Sequence, residues 1–272
     1  MKDLCFWSIG VGKHAFMLQA LVDSYRAVGM KEDFHVFCDK EINGAITHPI
    51  RQFTEFEEKT YFFKFTFLQS FMKQLDYRYF VFLDADNYFI RPLPDILHLM
   101  EKSPIHSFLE SDCAKPSPRK FWHDHLISEY VEMMRQCGVT GEKVYNVNSG
   151  FFIVKREAID IVCELAKDFW EHCCRKGYIF KEEPALAYAT HMLCEDPEKH
   201  LLHLYPNIWC TDWTGEYAGR LPDGRDWIFM DYLHGEFYLV NPAIVHAFKS
   251  KEALIAAAMK SNPSKKINKK YE

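Results

Sequence analysis

Tyr79-Phe80-Val81-Phe82-Leu83-Asp84-Ala85-Asp86 decides how this chain is read. Five consecutive apolar residues without polar alternation form a strand covered on both faces, as in the centre of a parallel sheet. Two carboxylates follow at once. In open α/β sheets ligands gather beyond the carboxyl ends of the strands, so Asp84 and Asp86 fall where a site is expected. Two residues apart, both can turn toward one ion. Hard oxygen ligands suit Mg²⁺ or Mn²⁺, either of which can hold a diphosphate. A plainer reading makes Asp84 a tie for the adjoining turn and leaves Asp86 solvated.

Upstream, Leu4 to Ile9 reads as a first buried strand ending in Gly10-Val11-Gly12-Lys13. Residues from His14 to Val28 place Phe16, Met17, Ala20, Leu21 and Tyr25 at helical spacing, and the pattern stops at Gly29. Phe34 to Cys38 is a second strand, with Asp39 just beyond it. Strand, helix and strand make a βαβ unit, which predicts a parallel sheet with a right-handed crossover. Gly10-Val11-Gly12-Lys13 has neither Walker A nor GxGxxG spacing and reads as a nucleotide-facing turn at most. A Phe-rich helix from Lys59 to Leu75 leads into the central strand.

Downstream, Pro92 and Pro94 break the chain before a short helix from Asp95 to Lys102. Ser103 to Arg119, with three prolines, reads as irregular, and Phe121 to Cys137 as helical. Val144 to Gly150 is a turn-rich approach to a strand from Phe151 to Val154. Helices are expected from Ala158 to Lys176 and from Glu182 to Met192. After Leu201 come short strands and aromatic loops ending at Ile244-Val245-His246, then a last helix from Lys251 to Met259. Trp209, Trp213 with Asp212 nearby, and Trp227 are either a sugar-binding wall or core.

With 272 residues the chain buries enough surface for a core without disulfides. No repeat or linker divides it, so one catalytic domain is expected over residues 1–260, with 261–272 a basic, flexible tail. The net charge of -5 gives no sign of a nucleic-acid partner. Lys265, Lys266, Lys269 and Lys270 make that tail either a frayed terminus or a contact for anionic membrane. Nine cysteines, an odd number without a CxxC, fit reduced buried thiols in a cytoplasmic protein better than a zinc site or secreted scaffold. No signal peptide or transmembrane stretch is apparent.

Asp-x-Asp after an apolar strand also occurs in phosphohydrolases of the haloacid-dehalogenase type, with the first Asp as nucleophile. There the motif usually lies on the first strand and is soon followed by Thr or Val. Here it follows about eighty residues of α/β sequence and precedes Asn87-Tyr88. The layout resembles GT-A-fold glycosyltransferases, and is most similar to family 8, the galactosyltransferase and glycogenin group. The motifs run from Leu4 to Lys251.

The resemblance implies an α/β GT-A fold, a mostly parallel central sheet flanked by helices with a small C-terminal antiparallel portion. It places Ser8, Ile9, Gly10 and Asp39 around the nucleoside and Asp84, Ala85 and Asp86 on the donor and its metal. Lys64, where the family more often has Arg, would face the donor. His246 matches the family's third metal ligand, so Asp84, Asp86 and His246 form the expected metal set. Lys249 and Lys251 would reach the diphosphate, although Lys249 stands where the family has Gly. Asn148-Ser149-Gly150 resembles a motif lining the donor sugar and acceptor side. Glu182 and Glu183 sit where the family has Asp-Gln at a helix start, facing the anomeric carbon or the acceptor.

The expected activity is therefore metal-dependent hexosyl transfer from a nucleotide-sugar donor, UDP-sugar favoured, to a hydroxyl of a glycan or glycolipid, with retention of configuration. Glu183, Asn148 and Glu182 are the catalytic candidates, and either glutamate would be the general base of an inverting reaction. A phosphohydrolase acting through Asp84 and an inactive nucleotide-sugar-binding protein are the alternatives. A cytoplasmic enzyme is expected, with peripheral membrane contact through the basic tail as its only approach to lipid.

Overall fold

The computed structural model describes residues 1–51, 53–54, 60–116, 120–122, 124–194, 208–211, 227–231, 236–240 and 242–247. The expected last helix, the basic tail, Asp212, Trp213, Lys249 and Lys251 lie outside the described residues.

The strands are β1 (Lys2–Ile9), β2 (Phe34–Cys38), β3 (Ile46–Pro49), β4 (Tyr77–Leu83), β5 (Asn87–Phe89), β6 (Ile105–Asp112), β7 (Phe121–Trp122), β8 (His125–Leu126), β9 (Tyr145–Lys155), β10 (Trp209–Thr211), β11 (Trp227–Asp231), β12 (Glu236–Val240) and β13 (Ile244–His246). The helices are α1 (His14–Ala27), α2 (Phe63–Ser70), α3 (Leu97–Met100), α4 (Ile127–Gln136), α5 (Ile159–Arg175) and α6 (Glu182–Leu193).

The main sheet has the order β3-β2-β1-β4-β9-β6. Its first four strands are mutually parallel, as the N-terminal βαβ unit predicts. β9 runs against both of its neighbours, β4 and β6. The sheet is thus mixed, with β9 alone reversed in an otherwise parallel arrangement, in keeping with the mostly parallel sheet expected. Helices flank it: α5 packs on α6 and on α2, and α6 packs on β9 and β6. A smaller sheet of order β10-β13-β5 lies beyond the end of β4, and β11 and β12 form an antiparallel pair.

The core lies where the apolar run of β4 crosses β1 and β9. Phe82 packs its ring 4.7 Å from Trp7 and 4.8 Å from Phe152. Trp7, Phe80, Phe82, Phe151 and Phe152 are all essentially inaccessible. Burying side chains of this size contributes about 1.5–3 kcal/mol each, which fixes the register of the strands that carry the site.

Four stretches depart from the sequence reading. The expected irregular segment contains β6, whose Ile105, His106 and Ser107 pair with Val154, Ile153 and Phe152. Buried polar residues hid it: Ser107 lies 3.2 Å from Thr190, hydroxyl to hydroxyl. Val144 to Gly150 is not a separate turn, because Tyr145 to Lys155 is one strand. Its register with β6 shifts twice: between Ser107 and Phe108 the extra residues are on β9, and between Leu109 and Ser111 the extra residue is on β6.

The third departure is in Phe121 to Cys137, which begins not as helix but as the small β7–β8 hairpin, turning at Asp124 with φ 68°. Helix α4 starts only at Ile127, where the Glu129 carboxylate accepts the Leu126 N–H. The helix expected from Lys59 to Leu75 is also shorter, α2 followed by a 3₁₀ turn at Met72–Gln74. No helix of the described residues is long and apolar enough to cross a membrane.

Candidate functional site

β4 ends at Leu83, and the chain turns so that the Asn87 N–H bonds the Asp84 carbonyl at 3.1 Å. β5 then leaves antiparallel to β13, pairing Asn87 with His246. The Ala247 N–H donates to the Asp86 carbonyl at 2.9 Å, which brings the end of β13 against the acidic turn. Sequence-distant residues meet as a result. One ligand atom each from Asp84, Asp86 and His246 lie within 4.8 Å of one another. His246 Nε2 is 3.2 Å from Asp86 Oδ1.

Asp86 and His246 are buried, while Asp84 keeps 30% of its side chain exposed. A buried Asp-Asp-His group of this kind could hold a metal ion. Two carboxylate oxygens with one imidazole nitrogen form a donor set suited to a divalent metal ion, and the close approach of two acids favours a cation between them.

Below this cluster lies a second group. Lys64, on α2, is 3% exposed and places its ammonium 2.8 Å from Asp84 and 2.7 Å from Glu182. The same ammonium donates to Ser149 Oγ at 3.0 Å, and that hydroxyl donates to Glu182 Oε1 at 2.6 Å. Burial alone would lower the Lys64 ammonium, but the two carboxylates outweigh it and hold the group protonated well above its ordinary range.

Burial pushes the Asp84 carboxyl up to about 6, opposed by Lys64 and reinforced by Asp86. An ion pair with Lys64 should favour the carboxylate, so the two partners pull in opposite senses. The 30% exposure lets water moderate the burial effect. A bound cation would favour the carboxylate.

Asn148, Ser149 and Gly150 are in β9, beside the end of β4. Asn148 Oδ1 accepts the Gly150 N–H at 2.8 Å. The Gly150 carbonyl accepts the Asp84 N–H at 3.0 Å. A Cβ on Gly150 would lie 2.9 Å from Asn148 Oδ1 and 3.4 Å from both the His246 and Trp209 rings. The tight contact is with the Asn148 carboxamide, which would have to shift to admit a Cβ, while the two rings would meet it at ordinary contact distance.

Helix α6 aims its N-terminus at the same point. Glu183, half-buried, accepts the Ser149 N–H at 3.1 Å. Glu182 is 3% exposed, and its Oε2 is buried without a hydrogen-bond partner among the described residues. Glu182, expected to face the anomeric carbon or the acceptor, is thus an interior counter-charge to Lys64.

The nucleoside candidates are placed differently. Asp39 Oδ1 accepts the Gly12 N–H at 3.1 Å, joining the end of β2 to the first loop. Ser8 is fully buried, and its hydroxyl donates to the Leu83 carbonyl at 2.6 Å, tying β1 to β4. Ile9 is buried core, and Gly10 packs over His14 and Leu18, where a Cβ would come within 3.0 Å of His14 Cβ. Ala85 is buried between the two acids.

Two residues at the centre carry no sequence signal of their role. Trp209 is wholly buried, so it is core and not an exposed wall. Its ring stacks on His246 at 5.6 Å, and its Nε1–H donates to Asn87 Oδ1 at 2.7 Å. Asn87 is equally hidden, at 2% exposure. Only the pairing of β5, β10 and β13 brings them together.

No known protein family matches the chain, and no similar sequence was found among curated proteins.

Proposed function

We propose that this chain is a metal-dependent glycosyltransferase that moves a sugar from a nucleoside-diphosphate donor, UDP-sugar favoured, to a hydroxyl of a glycan or glycolipid. The observation that carries the proposal is the convergence of Asp84, Asp86 and His246 at the end of the central strand. The resemblance of the motif layout to GT-A enzymes of family 8 favours the same reading. Asp84, Asp86 and His246 would hold Mn²⁺ or Mg²⁺, and a divalent cation there supplies charge neutralisation for a departing diphosphate.

The chain's own residues would do the rest. Lys64 holds a fixed positive charge beneath Asp84, the preorganised kind of electrostatics that favours developing negative charge. Gly150 lets Asn148 and the His246 and Trp209 rings pack directly against β9 beside the acidic turn. Glu182, buried and bound to Lys64 and Ser149, is poorly suited to take a proton from an acceptor. Glu183, half-buried at the helix start, is the better placed of the two carboxylates for orienting a hydroxyl.

The experiment is thermal denaturation against a panel of nucleoside diphosphates, with and without Mn²⁺. Stabilisation by UDP that requires Mn²⁺, is abolished in Asp86→Ala and weakened in His246→Ala is the expected result. Lack of stabilisation by every nucleotide tested would sink the proposal. The Lys64–Asp84 contact also suits a phosphohydrolase with Asp84 as nucleophile. That second reading requires phosphate release from small phosphoesters and indifference to UDP.

A further inference from the structure

We infer that Asn87 and Trp209 are positioning residues that lock Asp84 and His246 into ligating geometry, an inference that rests on the metal-dependent reading above. Asn87 Nδ2 donates to two carbonyls, Asp84 at 2.9 Å and Gly150 at 3.0 Å. Its Oδ1 accepts from the Trp209 indole at 2.7 Å. The amide orientation is thereby fixed, since only the nitrogen can serve two carbonyls and only the oxygen can serve the indole. One buried side chain thus clamps the acidic turn, β9 and β10 together.

Trp209 completes the clamp from the other side. Its ring lies nearly parallel to the His246 imidazole, at 23°, and to Phe151, at 17°. Phe108 covers it at 4.7 Å. The imidazole is therefore held in orientation by an indole that is itself pinned to Asn87. Asn87 also faces His246 across the β5–β13 pairing. Asn87 touches the backbone of Asp84, Trp209 touches the ring of His246, and a hydrogen bond joins the two. Groups in this relation to metal ligands set affinity by fixing where the ligand atoms point.

The test titrates Mn²⁺ alone into the full chain and follows the free-ion signal by electron paramagnetic resonance. Wild type is expected to bind Mn²⁺, and Asn87→Ala to bind it about 10–100-fold more weakly. Trp209→Phe keeps a ring over His246 but loses the indole N–H, and is expected to lose several-fold in affinity. Should Asn87→Ala fail to fold, the Trp209→Phe result alone decides.

Tyr130→Phe removes a buried hydrogen bond to the Tyr145 carbonyl, 2.6 Å long, and serves as the control for general loosening. It should lower the melting temperature while binding Mn²⁺ as wild type does. Binding within twofold of wild type in the variants that fold would overturn the positioning role and leave the metal site standing. Equal weakening in Tyr130→Phe would overturn it too. If wild type itself binds no Mn²⁺, the metal reading fails and takes this inference with it.

Discussion

Replacing Lys64 by Met is the sharpest perturbation the structure offers. The ammonium is 3% exposed and lies between Asp84 at 2.8 Å and Glu182 at 2.7 Å. Without it, Glu182 would keep a buried carboxylate whose Oε2 already has no hydrogen-bond partner among the described residues. Removing one member of a buried ion pair costs about 3–5 kcal/mol, most of it from the charge left behind. For a chain of this size the melting temperature should fall by on the order of 10 °C. Asp84 contributes less to the loss, because water reaches 30% of its side chain.

The paired variant Lys64→Met with Glu182→Met separates charge from packing. Apolar replacement of a whole buried pair is often neutral or better, so at least half of the lost stability should return. Urea denaturation of wild type, single and paired variants reads the three values directly. A single variant within about 1 kcal/mol of wild type, or a paired variant no more stable than the single one, would refute the assignment of Lys64 and Glu182 as mutual counter-charges.

Three further outcomes are expected. His35 bonds His48 at 2.9 Å and Tyr77 at 3.1 Å, with Asp33 and Lys2 nearby, and burial followed by the His48 imidazole pushes it down to about 4. Its neutral form is favoured in the fold, so its contribution is complete above pH 6.5 and is lost as the pH falls toward 4. Urea melts should show about 1–2 kcal/mol less stability at pH 5 than at pH 7 from this group, a difference missing in His35→Phe. Gly150→Ala forces a Cβ to within 2.9 Å of Asn148 Oδ1, and should cost about 1–3 kcal/mol while weakening Mn²⁺ binding in the resonance titration. Phe82→Ala removes a ring packed between Trp7 and Phe152, and chemical denaturation should register a loss of about 3–5 kcal/mol.

What could be read in advance followed from local chemistry. Phe80 to Leu83 is apolar without interruption because both faces of β4 are covered, so the strand and the acids at its end were plain. His246 was legible as the last residue of a short apolar run. β6 was not, because His106 and Ser107 are polar residues buried by partners distant in sequence, and the prolines around the segment read as breaks. Glu182 illustrates another limit. A glutamate in the first turn of a helix is ordinarily a solvated, dipole-favoured residue, and only the position of Lys64 makes it an interior one. Asn87 and Trp209 depend on strand pairing that no local pattern encodes.

The wide separation of the site's parts along the chain bears on when the site can exist. Trp209 and Asn87 are hydrogen-bonded across 122 positions, and Lys64 reaches Glu182 across 118. Closing such long loops costs entropy before any contact is gained, so these junctions belong to the slow end of folding. A nascent chain can form the βαβ unit early, yet β4 ends in two facing acids until β13 arrives with His246. Cation uptake would then report completed folding, and the rate at which it appears during refolding would time the docking of the last described strand.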